Sequence, residues 1–172
     1  PRPAARVLLA LGPPSPCSLP PAADRARALR PFPPVASSCA CPSCISPQRI
    51  LVPSSRHSEL LELLAKTVAS IVVGDPSDPA TEVGPLIRPS EIERILGWIA
   101  AAVEGGATLV TGGKVTNGLL EPTVLDSPPW DSDVVRKEVF GPVVTVPPFD
   151  TMSDAVHFAN DRDFGLQAGV FA

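Results

Sequence analysis

From residue 48 onward, apolar positions follow two alternating rhythms. Gln48–Val52 is a short run of β-type residues. Leu60, Leu61, Leu64, Val68 and Ile71 then recur at helical spacing and define one apolar face. The pattern predicts a helix from Ser58, as N-cap, to about Val72, with Glu59 and Glu62 near its positive end. "VGDPSDPATEVGPLIRP" (73–89) carries too much glycine and proline for regular structure and is predicted to be a loop. Ser90-Glu91-Ile92-Glu93 fits a capping box. The helix it opens shows Ile92, Ile95, Leu96, Ile99 and Val103 on one side and stops at Gly105-Gly106. Strands are predicted at 107–113, 120–125, 142–149 and 166–171, with a short helix over Asp154–Asn160. Helices alternating with strands predict an α/β layered domain.

The first 47 residues behave differently. Thirteen of the 23 prolines fall in residues 1–53. Proline lacks an amide donor and fixes φ, so neither helix nor central strand is expected there. The chain is therefore divided into a proline-rich, weakly ordered arm (1–47) and a regular segment (48–172). "GLQAGVFA" ends the sequence on a strand with no element after it, which predicts an incomplete fold.

Composition narrows the function classes. The 172 residues are 44% hydrophobic and 19% charged, with net charge −4. No cluster of Lys or Arg suggests a nucleic-acid surface, and no apolar run reaches the roughly 18 residues of a membrane span. "PRPAARVLLALGPP" at the start is too broken by proline to read as a secretory leader. The four cysteines all lie within the first 44 residues, unlike a disulfide framework, which favours a reducing, cytoplasmic setting. Asp75 and Asp78 read as turn formers, and His157 as a surface residue.

Three of those cysteines, Cys39, Cys41 and Cys44, lie in "SSCACPSCISPQRILVP" (37–53). Taken on residue chemistry, three readings stay open. Cys44 is a buried inert thiol, or the three thiols with His57 hold a tetrahedral zinc ion, or one thiolate is a nucleophile.

"CISPQRILV", "VGDPSDPATEVGPLI", "EVFGPVVTVPPF" and "AN…FGLQAGVF" occur in this order from residue 44 to 172. Together they resemble the catalytic domain of the aldehyde dehydrogenase superfamily. The resemblance implies a three-layer-like α/β catalytic domain, present here in part. It also implies oxidation of an aldehyde to a carboxylic acid with NAD or NADP, through a thiohemiacetal and a thioester on a cysteine. Cys44 takes the nucleophile's position, Glu138 that of the carboxylate holding the nicotinamide ribose, and Phe140 that of a ring beside the nicotinamide. Asn160 takes a position that supports the site's surroundings. Two departures stand out. Where the family has Gly-Gln ahead of the cysteine, this chain has Cys41-Pro42. About 34 residues before Cys44, where the family carries its general-base glutamate, stands Ala10 in "ALGP" (10–13). The expectation is impaired turnover. The alternative is a non-catalytic fragment that associates with a full-length homologue.

Overall fold

The computed structural model describes residues 47–161 in full and, in backbone only, three strands outside that span. These are β1 (Val7–Leu11), β2 (Ser15–Leu19) and β10 (Gln167–Phe171). Between them run β3 (Pro47–Pro53), β4 (Thr108–Thr111), β5 (Val115–Thr116), β6 (Leu119–Leu120), β7 (Thr123–Asp126), β8 (Val143–Val146) and β9 (Pro148–Phe149). The helices are α1 (His57–Ala69), α2 (Pro89–Glu104), α3 (Asp133–Arg136) and α4 (Met152–Asn160). Eight strands form one mixed sheet, ordered β10-β2-β1-β3-β8-β7-β4 with β9 attached to β3, while β5 and β6 form a separate hairpin.

The heart of the sheet is parallel. β3 runs beside β8 with Arg49 opposite Thr145, and β8 runs beside β7. Parallel strands need cover on both faces and read as continuous apolar runs, as "ILV" in β3 and "VV" in β8 do. Ile50, Val52, Val124, Val144 and Val146 face Leu64 of α1. On the opposite face, Leu125 and Val143 pack with Ile95, Ile99 and Ala102 of α2 and with Val134 and Val135 of α3. Leu51 packs with Phe149 and with Ala155 and Ala159 of α4. The result is the expected three-layer α/β arrangement.

Several boundaries differ from the sequence pattern, each for a local reason. Two strands run through the stretch where proline density argued against any. β1 lies in the pyrrolidine-free run "AARVLLALG" (4–12) and pairs antiparallel with β3, Ala10 opposite Arg49. β2 accommodates Pro16 opposite Ala10. Ser58 is not an N-cap: a 3-10 turn over Ser54–Arg56 leads in and Arg56 is the capping residue. α1 stops at Ala69, short of Val72, because the Val72 N–H is taken by the Glu82 carboxylate at 3.0 Å. The Val72 carbonyl in turn accepts from the Glu82 and Val83 amides.

The Ser90–Glu93 capping box is absent as well. Arg88 caps α2 and Pro89 occupies its first turn, where proline loses no useful donor. Glu91 turns instead to Arg94. A capping box does exist on α4, between Thr151 and Asp154, and the helix starts at Met152, two residues upstream of the predicted start. Residues 142–149 and 120–125 each split into two short strands, at Pro147 and at Pro122.

Two glycines test this architecture in opposite directions. Gly97 sits mid-α2 with open space where a Cβ would point. Gly97→Ala should raise stability by about 0.5–1 kcal/mol. Gly112 has φ +78°, and a Cβ there would overlap the Pro122 carbonyl oxygen. Gly112→Ala should lower stability by about 2 kcal/mol. Urea unfolding midpoints of the two variants check both signs.

Candidate functional site

The site is built on residues 137–142, the connection from α3 to β8. Val139 is buried in the α2-side core, which turns its neighbours outward. Glu138 is half-buried, and among the described residues its carboxylate has no hydrogen-bond or ion-pair partner. Phe140 is 43% exposed and holds φ +52°. A bulky residue in the left-handed region is a true outlier, costing on the order of 1–2 kcal/mol. Such strain persists only where the surroundings enforce it.

The enforcement is visible. Gly141 lies so close to α2 that a Cβ would sit 2.5 Å from Ile95 Cδ1. The Pro142 carbonyl accepts from the Thr123 N–H at 2.8 Å, tying the connection to β7. Gln48, buried in β3, donates through Nε2 to the carbonyls of Val134 (3.1 Å) and Lys137 (2.7 Å). Its Oε1 accepts from the Val139 N–H at 3.1 Å. On the α2 side, Arg94 donates through Nη2 to the Val139 carbonyl at 2.8 Å and through Nε to Glu91 at 2.8 Å. The Arg94 guanidinium lies 4.3 Å from the Trp98 ring centre, and Lys137 Nζ lies 5.6 Å from it.

This geometry offers an uncommitted carboxylate two residues from an exposed aromatic face, on a backbone that cannot easily yield. A carboxylate can accept from two vicinal hydroxyls at once, and an aromatic face packs against a planar heterocycle. The pair suits a ribose with its attached ring.

Of the predicted site residues, Glu138 and Phe140 stand together on this connection. Cys44, with Cys39 and Cys41, lies outside the described residues. Ala10, which the resemblance puts at the general-base position, is described in backbone only, opposite Arg49. Asn160 donates to the Val156 carbonyl within α4. His57, the fourth ligand in the zinc reading, is otherwise engaged: Nε2 lies 2.8 Å from Asp126 Oδ1 and 3.0 Å from the Val146 carbonyl. No group of three or more His, Cys, Asp or Glu side chains is arranged for a metal ion among the described residues. A groove of about 750 Å³ between the end of α1 and the β5–β6 hairpin, lined by Val68, Ile71, Thr116 and Leu119, contains none of the predicted site residues. The sequence pattern missed Gln48 and Arg94. Their signal was faint: one polar residue leading an apolar strand, and one cation on an amphipathic helix.

The sequence model of the aldehyde dehydrogenase family matches residues 2–172. A 3-sulfolactaldehyde dehydrogenase of Priestia aryabhattai is 41% identical over 128 residues, covering 74% of this chain and 27% of that protein. A crystal structure of a Mycobacterium tuberculosis aldehyde dehydrogenase complexed with NAD+ superposes with TM-score 0.71 at 39% identity, over 77% of this chain and 29% of the other. Betaine aldehyde dehydrogenase of Staphylococcus aureus, in complex with NAD+, gives TM-score 0.76 at 33% identity, over 83% and 30%. The chain thus spans little more than a quarter of the length of the relatives it matches.

The strain at Phe140 can be isolated with two variants that both remove the ring. Phe140→Gly should be about 1 kcal/mol more stable than Phe140→Ala, since only glycine takes φ +52° without cost. Thermal unfolding of the pair measures the difference.

Proposed function

This chain belongs to the aldehyde dehydrogenase family, and from that premise we propose that it contributes the nucleophile and the coenzyme-holding connection for oxidation of an aldehyde to a carboxylic acid. The observation that carries the reading is the parallel register of Arg49 with Thr145. Cys44 is five residues upstream of one partner, and Phe140 five upstream of the other. β3 and β8 run parallel, so the connection carrying Glu138 and Phe140 enters the sheet at the edge where β3 begins. β1, antiparallel to β3, leaves the sheet at that edge too.

Glu138 and Phe140 fit NAD+ or NADP+, the unpartnered carboxylate toward the ribose hydroxyls and the exposed ring toward the nicotinamide. When bound, the coenzyme supplies the hydride acceptor. The Cys44 thiolate adds to the aldehyde carbon; loss of hydride from that carbon leaves a thioester. Sulfur suits both steps, being a strong nucleophile and a good leaving group. Water then releases the acid and restores the thiol. A cysteine in this role must stay reduced, consistent with a cytoplasmic location.

Ala10 carries no carboxylate to activate that water. General-base help is worth roughly 10²–10⁴-fold, so acylation should outrun deacylation and steady-state turnover should be slow. The same missing carboxylate favours a second reading, a non-catalytic chain that associates with a full-length relative. Co-purification with such a relative, against a lone monomer on gel filtration, separates the two.

Three substitutions test the first reading. Cys44→Ser should abolish NAD(P)H formation from any aldehyde. Glu138→Gln should weaken NAD(P)+ binding by about tenfold, the scale of a hydrogen bond to a charged group, with aldehyde affinity unchanged. Ala10→Glu should speed thioester hydrolysis by about a hundredfold, read from the burst and steady-state phases of NAD(P)H absorbance.

A further inference from the structure

We infer that Gln48 is a positioning residue that fixes the orientation of the Glu138 carboxylate and so couples the strand behind the nucleophile to coenzyme binding. The inference deepens the proposed function and rests on it. Gln48 is 6% exposed, and its side-chain amide is fully spent on one stretch of backbone. One of its three bonds goes to the Lys137 carbonyl, which belongs to the peptide unit entering Glu138. Another comes from the Val139 N–H, which belongs to the peptide unit leaving it. Two peptide planes, one on each side of a single Cα, are therefore gripped by one planar group, leaving the φ and ψ of Glu138 no independent freedom. The third bond, to the Val134 carbonyl, ties the same amide to α3.

The chemistry demands glutamine. A glutamate would keep the acceptor but lose both donors, a methionine would lose all three bonds, and an asparagine is one methylene shorter. Gln48 is itself held, because its backbone carbonyl accepts from Thr145 Oγ1 at 3.0 Å. Arg94 completes the hold on the Val139 carbonyl at 2.8 Å. Beyond this grip sits Phe140 at φ +52°, a conformation that needs fixed neighbours.

The test uses the chain as it stands, with NAD+ and NADP+ as probes and the fluorescence of Trp98, which lies beside Arg94 and Lys137, as reporter. Gln48→Met should raise the coenzyme dissociation constant about tenfold and speed hydrogen exchange of the Val139 amide about a hundredfold, the loss expected when a buried donor is left unpaired. Gln48→Glu, of the same shape, should fall between Met and the parent in both measurements. Leu64→Ala opens a cavity on the opposite face of the sheet and serves as the control for simple destabilisation; it should leave coenzyme affinity within twofold. If Gln48→Met leaves affinity or Val139 exchange at the parent value, or if Leu64→Ala weakens coenzyme as much, the positioning role is wrong. If Glu138→Gln weakens coenzyme and Gln48→Met does not, this inference alone fails. Failure of the unmodified chain to bind either coenzyme overturns the proposed function along with it.

Discussion

The parallel pairing of β3 with β8 decides where everything else in this molecule can be. Arg49 and Thr145 are nearly a hundred residues apart in sequence, yet they are direct neighbours across the ladder. Parallel strands cannot be joined by a tight turn; they require a crossover that returns the chain to the same edge. Here the crossover holds α1, α2, the strands β4–β7 and α3, so both faces of the sheet are covered in the act of making the connection. The core and the placement of the α3–β8 connection follow from one constraint.

Side-chain hydrogen bonds then convert that placement into precision. Apolar packing of Val139 against Ile95 and Val135 places the α3–β8 connection, but hydrophobic burial is non-directional and would tolerate small rotations. The amide of Gln48 and the guanidinium of Arg94 remove that tolerance, because each bond has a preferred direction. The arrangement concentrates polar fixation on the backbone either side of Glu138. Elsewhere the core is mostly aliphatic, with Phe149 and small alanines where α4 packs on β3.

What the sequence made legible follows the same division. The apolar stripes of α1 and α2 were readable because a helix must bury every third or fourth position, and Ile95 and Ile99 are buried as the period requires. Helix ends were less readable: Glu82, ten residues beyond Val72, halts α1, and α4 opens at a Thr151–Asp154 capping box that the apolar pattern does not mark. The strands β1 and β2 were hidden by proline density, a measure that ignores the proline-free run between Pro3 and Pro13. At the site, Glu138 and Phe140 emerged from a motif, not from periodicity. Gln48 and Arg94 stayed invisible because their partners are backbone atoms about 90 and 45 residues away, and no local pattern encodes a backbone partner.

The pairing of Val7 with Phe171 has a consequence for biosynthesis. A ribosome emits β1 and β2 long before β10 exists, and β1 meets β3 only after the intervening cysteine-bearing stretch has emerged. Until then, the hairpin presents open ladder edges to its surroundings, the kind of surface on which nascent chains stick to one another. Closure across so many residues is slow by its topology, so the yield of properly assembled molecules should depend on elongation speed and on chaperones that shield that early hairpin.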